Sequence, residues 1–293
     1  MDVIQKNKQT NLFWLALTSV LVSVAFSFLG APFLRAFSVS AKPKVFWTAG
    51  VLLVIALIVM GMTLPSVYIG AIWMTLGIYS ELEKRGVNWR AAGLISLISG
   101  VVSAAVLLTL LTRFLAGQNL ISDLLQPLQT AMNKAFPEDP IEASVIASYL
   151  PGIFAATLFM AMGLGFILET KINQIFNIQR TRVASGLKWL EFRLPDAFIW
   201  VSLFAAFFGL IGINQPIVEK VALNIVIVSV VAFFFQGLVV VEFMTRAFRL
   251  GSFSKTILFI FLLLQAAPAL ILVGLIDYWA DFRQKVRKKI KAN

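Results

Sequence analysis

The 293 residues contain no histidine and no cysteine. These absences remove the commonest metal ligands, thiol and disulfide chemistry, and the usual acid/base group at neutral pH. Charge is scarce as well, at 13% of residues, where a soluble domain carries about 25%. What is abundant is apolar, 59% of the chain, and it comes in long runs. The expected fold class is therefore all-α, a polytopic transmembrane helix bundle in a lipid bilayer. The net charge of +11 fits short loops that set topology and touch anionic headgroups. No zinc-finger or helix-turn-helix pattern accompanies it, so nucleic acid is rejected as a partner.

Catalytic signatures are missing too. The chain has no GxxxxGK[ST] phosphate loop, no HExxH and no Gly-x-Ser-x-Gly. Intramembrane catalysis by paired aspartates needs two at one depth, and only Asp277 comes close. The expectation is a non-enzyme without cofactor or metal.

Eight stretches meet the length of a spanning helix, at 12–34, 45–63, 65–82, 91–113, 148–168, 196–214, 221–246 and 254–280. The second and third share one apolar run with a turn signal only at Met62-Thr63-Leu64-Pro65, so seven spans is the alternative. The first run is too long for a signal-peptide core and reads as a retained helix. Two linkers read as interfacial amphipathic helices. In 119–136, Ile121, Leu124, Leu125, Leu128 and Met132 share a face, with a kink expected at Pro127. In 171–193, Ile172, Ile175, Phe176, Val183, Leu187 and Leu190 oppose Lys171, Arg180, Arg182 and Lys188. Both fit an elbow between spans, or else a docking surface.

The chain is expected to be one integral membrane domain, 1–293, ending in a basic cytoplasmic tail, 281–293. The expected location is a cytoplasmic membrane, crossed many times. Orientation is contested within the sequence. The tail carries Arg283, Lys285, Arg287, Lys288, Lys289 and Lys291, and the 171–193 linker is basic as well. Three expected spans separate them, so the positive-inside rule cannot place both in the cytoplasm. The density of the tail, with Lys6 and Lys8, favours both termini inside.

Polar groups at membrane depth are functional candidates by default. The last two spans supply Asn224, Gln236, Gln265 and Asp277. A hairpin turning near Leu250-Gly251 sets Gln236 level with Gln265, and Asn224 level with Asp277. Those levels fit interhelical hydrogen bonds or a ligand site, with Trp200 and Phe235 as walls. Glu242 and Arg246 stand at i,i+4 spacing as an ion pair. On the first span Ser19, Ser23, Ser27 and Ala31 form a small-residue ridge that fits internal packing or the docking of a membrane partner subunit. Similar ridges stand at Ala92, Ser96, Gly100 and Ala104, and at Gly152/Ala156 and Ala161/Gly165.

The string Phe192-Arg193-Leu194-Pro195-Asp196, then Asn224, Gln236-Gly237-Leu238, Gly274 to Trp279 and Asp281-Phe282-Arg283 resembles the YybS-like family of bacterial polytopic membrane proteins. The resemblance covers about 185–288, within a family-like part 171–288; residues 1–170 lack its motifs. The family is distantly similar to the substrate-binding membrane subunits of energy-coupling-factor transporters. By that resemblance the Ser19/Ser23/Ser27/Ala31 ridge would dock a coupling subunit, and separate ATPases would supply energy. The expected function is a substrate-binding or transport-associated subunit with an unknown small-molecule ligand. The rival is a membrane scaffold or assembly factor of the cell envelope.

Overall fold

The computed structural model describes residues 2–114, 120–135, 142–178, 189–211 and 215–292, and among these it is helical with no strands. Two compact units divide the chain, 1–186 and 187–293.

In the first unit, α1 (Asp2–Phe26) and α2 (Ala31–Ser40) replace the single span expected at 12–34, with a 3₁₀ turn between them. Pro32 is the physical cause: it offers no N–H and its ring excludes a helical carbonyl four residues back, at Phe28. Gly30 makes the reversal tight, because any Cβ there would overlap Ser23. α2 then runs through the interior with nine of its ten residues buried, so this stretch is core rather than lipid-facing span.

α3 (Pro43–Val59) and α4 (Thr63–Lys84) are separate antiparallel helices, which settles the ambiguous division in favour of two. The turn between them uses Gly61 at φ 77°, a backbone state that costs a non-glycine residue strain. Trp73 fills the space beside Gly50, and Phe46 and Trp47 fill that beside Gly77. The Trp73 indole N–H donates to the Phe46 carbonyl at 3.1 Å.

α5 (Trp89–Phe114) shows why sequence ridges form. Ala92, Ser96, Gly100 and Ala104 are buried, whereas Leu94, Ile95, Ile98, Val102 and Val106 face outward. Small residues every four positions let α5 approach α4 and α7 closely, with Gly100 seated against Thr75 and Leu158. α6 (Leu120–Ala135) is the expected amphipathic helix and continues through Pro127. Leu125 is buried, and Gln126, Thr130 and Lys134 are exposed. α7 (Ala143–Ile175) extends seven residues past the expected span end, so Lys171 to Ile175 belong to it and not to a separate interfacial helix. The expected helical face at Arg180, Arg182, Val183, Leu187 and Lys188 lies outside the described residues.

In the second unit, α8 (Asp196–Ile211) runs antiparallel to α9 (Pro216–Ala247), with Phe198 against Phe233 and Ser202 bonded to Ser229 at 2.8 Å. α10 (Ser252–Leu264) and α11 (Ala267–Ala280) replace the straight span expected at 254–280, bent by 98° at Gln265–Ala266. Pro268 causes this break as Pro32 causes the first, by excluding a helical carbonyl at Leu264. Asp281 at φ 42° turns the chain into α12 (Phe282–Ala292).

Three described helices, α5, α7 and α9, are long and apolar enough to cross a membrane alone, and the bent α10–α11 pair would make a fourth if it is one span. The other expected spans are shorter or, like α4, lined with polar residues turned inward. The chain is a membrane protein with several apolar helices, but eight straight spans do not describe it.

Candidate functional site

The densest polar cluster in the first unit surrounds Arg35, and the sequence reading passed over it. Its guanidinium is 1% exposed. Nη2 donates to Glu83 Oε2 at 2.7 Å, Nε to Glu169 Oε2 at 3.0 Å, and Nη1 to Ser80 Oγ at 2.7 Å. Ser38 Oγ lies 2.7 Å from Ser80 Oγ. Tyr79 and Phe166 complete the walls, with Arg35 Cζ 5.1 and 5.2 Å from their ring centres. Three helices therefore meet at one side chain: α2 supplies the arginine, α4 supplies Tyr79, Ser80 and Glu83, and α7 supplies Phe166 and Glu169. Gly165 permits the approach, since a Cβ there would stand 3.2 Å from Arg35 Cβ.

Two carboxylates around one buried guanidinium make a high-stakes arrangement. Desolvating such charges costs several kcal/mol each, and only good geometry with satisfied hydrogen bonds offsets it. Arg35, Glu83 and Glu169 each follow an expected span end, where a charge ordinarily reaches water. One signal in the sequence marked the exception: Arg35 is the sole charge between Lys8 and Lys42, with apolar residues on both sides.

In the second unit the expected levels are not realised. Gln236 is fully buried, but its partners are backbone groups. The Leu194 N–H donates to Gln236 Oε1 at 3.0 Å, and Gln236 Nε2 donates to the Gly274 carbonyl at 2.8 Å. Gln265 sits exposed at the α10–α11 break and does not meet it. Asp277 is 1% exposed and accepts from Arg283 Nη2 at 2.9 Å and from the Phe282 N–H at 3.1 Å. Asn224 donates to the Lys220 carbonyl of its own helix at 2.7 Å. Equal levels require a straight antiparallel helix, and the 98° bend removes that condition.

The intended walls separate as well. Trp200 is 50% exposed on α8, whereas Phe235 is buried edge-on against Trp189. The ion pair is present as expected: Arg246 Nε donates to Glu242 Oε1 at 2.7 Å, and Lys255 shares that oxygen at 2.7 Å. The first-span ridge is turned inward, with Ser19, Ser23 and Ala31 buried; the Ser27 side chain lies outside the described residues. Ser23 Oγ has no hydrogen-bond partner among the described residues. No group of three or more acidic residues suited to a metal occurs among the described residues.

No curated protein and no solved structure matches the chain. Residues 140–278, just under half of it, match the model of a family described as "Predicted membrane protein (DUF2232)". The matched stretch carries Glu169, Gln236, Gly237, Gly274 and Asp277, and by it the chain is similar to a family of membrane proteins whose description assigns no activity.

Proposed function

We propose that this chain is a substrate-binding or transport-associated membrane subunit that draws energy from partner chains. The supporting observation is Arg35, fully buried and held by carboxylates from two different helices. An arginine fork recognises carboxylate and phosphate groups through paired N–H donors. An anionic solute can exchange with Glu83 or Glu169 on the guanidinium, and any such exchange changes what ties α2 to α4 and α7. Ionisable groups within membrane proteins mark solute and ion pathways for this reason. Energy would come from a separate ATPase, since the chain has no phosphate loop.

The test is gentle purification followed by mass spectrometry of retained small molecules and co-purifying proteins. Wild type should retain an anionic metabolite, and Arg35→Lys, which keeps the charge but loses the fork, should release it in the fraction that stays folded, with a lowered melting temperature because Ser80 and the carboxylates lose donors. Stoichiometric envelope proteins with no metabolite in wild type would overturn the proposal in favour of a scaffold. The scaffold reading has its own support in the second unit, where Gln236 is spent on backbone groups and Gly237 and Gly274 pack backbone to backbone.

A further inference from the structure

The second unit contains an asymmetry in where its charges gather. α11 advances along α9 in the same sense: Gly274 lies beside Gln236 and Gly237, and past the turn at Asp281 the Arg287 guanidinium stands 5.3 Å from the Phe243 ring centre. The segment before α8 meets the same end, because Arg283 Nη1 donates to the Phe192 carbonyl at 2.8 Å and Arg193 Nη1 lies 3.3 Å from Asp281 Oδ2. α10 also begins there, with Lys255 on Glu242. The α10–α11 pair thus starts and finishes beside the C-terminal end of α9. Its arms have 13 and 14 residues, about 20 Å each, and neither alone covers the roughly 30 Å hydrocarbon core.

We propose that α10–α11 is a re-entrant hairpin opening on one membrane face, and that α12 with the end of α9 and the start of α10 forms on that face a cationic surface for anionic phospholipid headgroups. Arg246 and Lys255 meet there on Glu242 and Arg287 on Phe243, with Arg249 in the α9–α10 turn and Lys285 and Lys288 on α12. The acids nearby are engaged by cations: Glu242 by Arg246 and Lys255, Asp277 by Arg283, and Asp281 by Arg193. Arg283 faces inward and is 7% exposed, which fixes the roll of α12 and turns Lys285 to the opposite face; Lys288 and Arg287 are exposed too, the latter beside the Phe243 ring. The conflict between two basic segments also resolves, because a hairpin adds no crossing between α9 and the tail. The positive-inside rule then puts this face in the cytoplasm.

The natural absence of cysteine makes the test direct. Single variants Gln215→Cys, Gly251→Cys and Lys285→Cys would be labelled in sealed membrane vesicles with an impermeant maleimide. Gly251→Cys and Lys285→Cys should react from one side and Gln215→Cys from the other. Reaction of Lys285→Cys together with Gln215→Cys would make α10–α11 a true crossing and overturn the hairpin. For the surface, the full chain in mixed phosphatidylglycerol/phosphatidylcholine micelles should retain phosphatidylglycerol preferentially by native mass spectrometry. Replacing Lys285, Arg287 and Lys288 by Gln should weaken that retention by about fivefold per charge. Equal retention of both lipids by wild type, or an unchanged preference in the triple variant, would overturn the headgroup assignment.

Discussion

Gln236 and Gln265 share a chemistry and differ in everything that surrounds them. Replacing Gln236 by Leu strands the buried Leu194 N–H, which costs about 1–3 kcal/mol, and removes a second bond from the Gly274 carbonyl, which keeps its place in the α11 ladder. Gln265 is exposed, so Gln265→Leu should change stability by no more than about 0.5 kcal/mol. Thermal unfolding in one detergent compares the two, and equal effects would contradict the assigned role of Gln236. The same logic separates Arg35 from the tail arginines. A guanidinium enclosed by two carboxylates is worth little more than an apolar replacement of the whole cluster, yet removing it alone is severe. A local reading of the sequence sees residue type and spacing; whether an amide bonds to its own helix, to a neighbour's backbone or to water depends on which helix arrives beside it.

At the scale of elements, two prolines and two glycines decide how the second unit and the α1–α2 turn are built. Pro32 and Pro268 each stand where a helix that hydropathy alone would extend is broken, whereas α6 and α7 continue through Pro127 and Pro151; proline weakens the ladder and the packing around it decides whether the helix ends. Gly237 and Gly274 let α9 and α11 touch: a Cβ at Gly237 would overlap the Leu270 carbonyl, and one at Gly274 the Phe233 carbonyl. Both obstacles are backbone atoms, which cannot swing aside as a side chain can. Gly274→Ala should therefore force the helices apart and destabilise by about 1–3 kcal/mol or more, and also weaken the Gln236 bond to that carbonyl. Gly93→Ala is the control, since its added Cβ would meet only the Met162 methyl at 3.7 Å. A melting temperature for Gly274→Ala equal to that of Gly93→Ala would refute the close approach. The ridges on α5 and α7 were legible in the sequence because four-residue spacing of small side chains has one geometric consequence, a flat stripe. Their partners were not, since a stripe does not name the helix it receives.

For the whole molecule, crossing is a property of length and polarity together. α7 is 33 residues, about 50 Å, which exceeds the hydrocarbon thickness and leaves its ends outside the core. Ser144→Cys and Asn177→Cys should accordingly label from opposite sides of a sealed vesicle, and labelling from one side would exclude α7 as a span. The apolar exterior of α5 and α8, with Phe204, Phe207 and Leu210 open on the latter, is the surface lipid requires. Composition and run length alone determined the solvent, the helical class, the membrane location and the amphipathic α6, because each follows from how apolar groups and backbone amides partition between water and lipid. Tertiary structure alone decided that Arg35 meets Glu83 and Glu169, that Gln236 holds backbone rather than Gln265, and that the chain bends by 98° at Gln265–Ala266. The reason is that residues 38 to 134 positions apart become partners only when packing brings their helices together, and hydropathy carries no information about pairing.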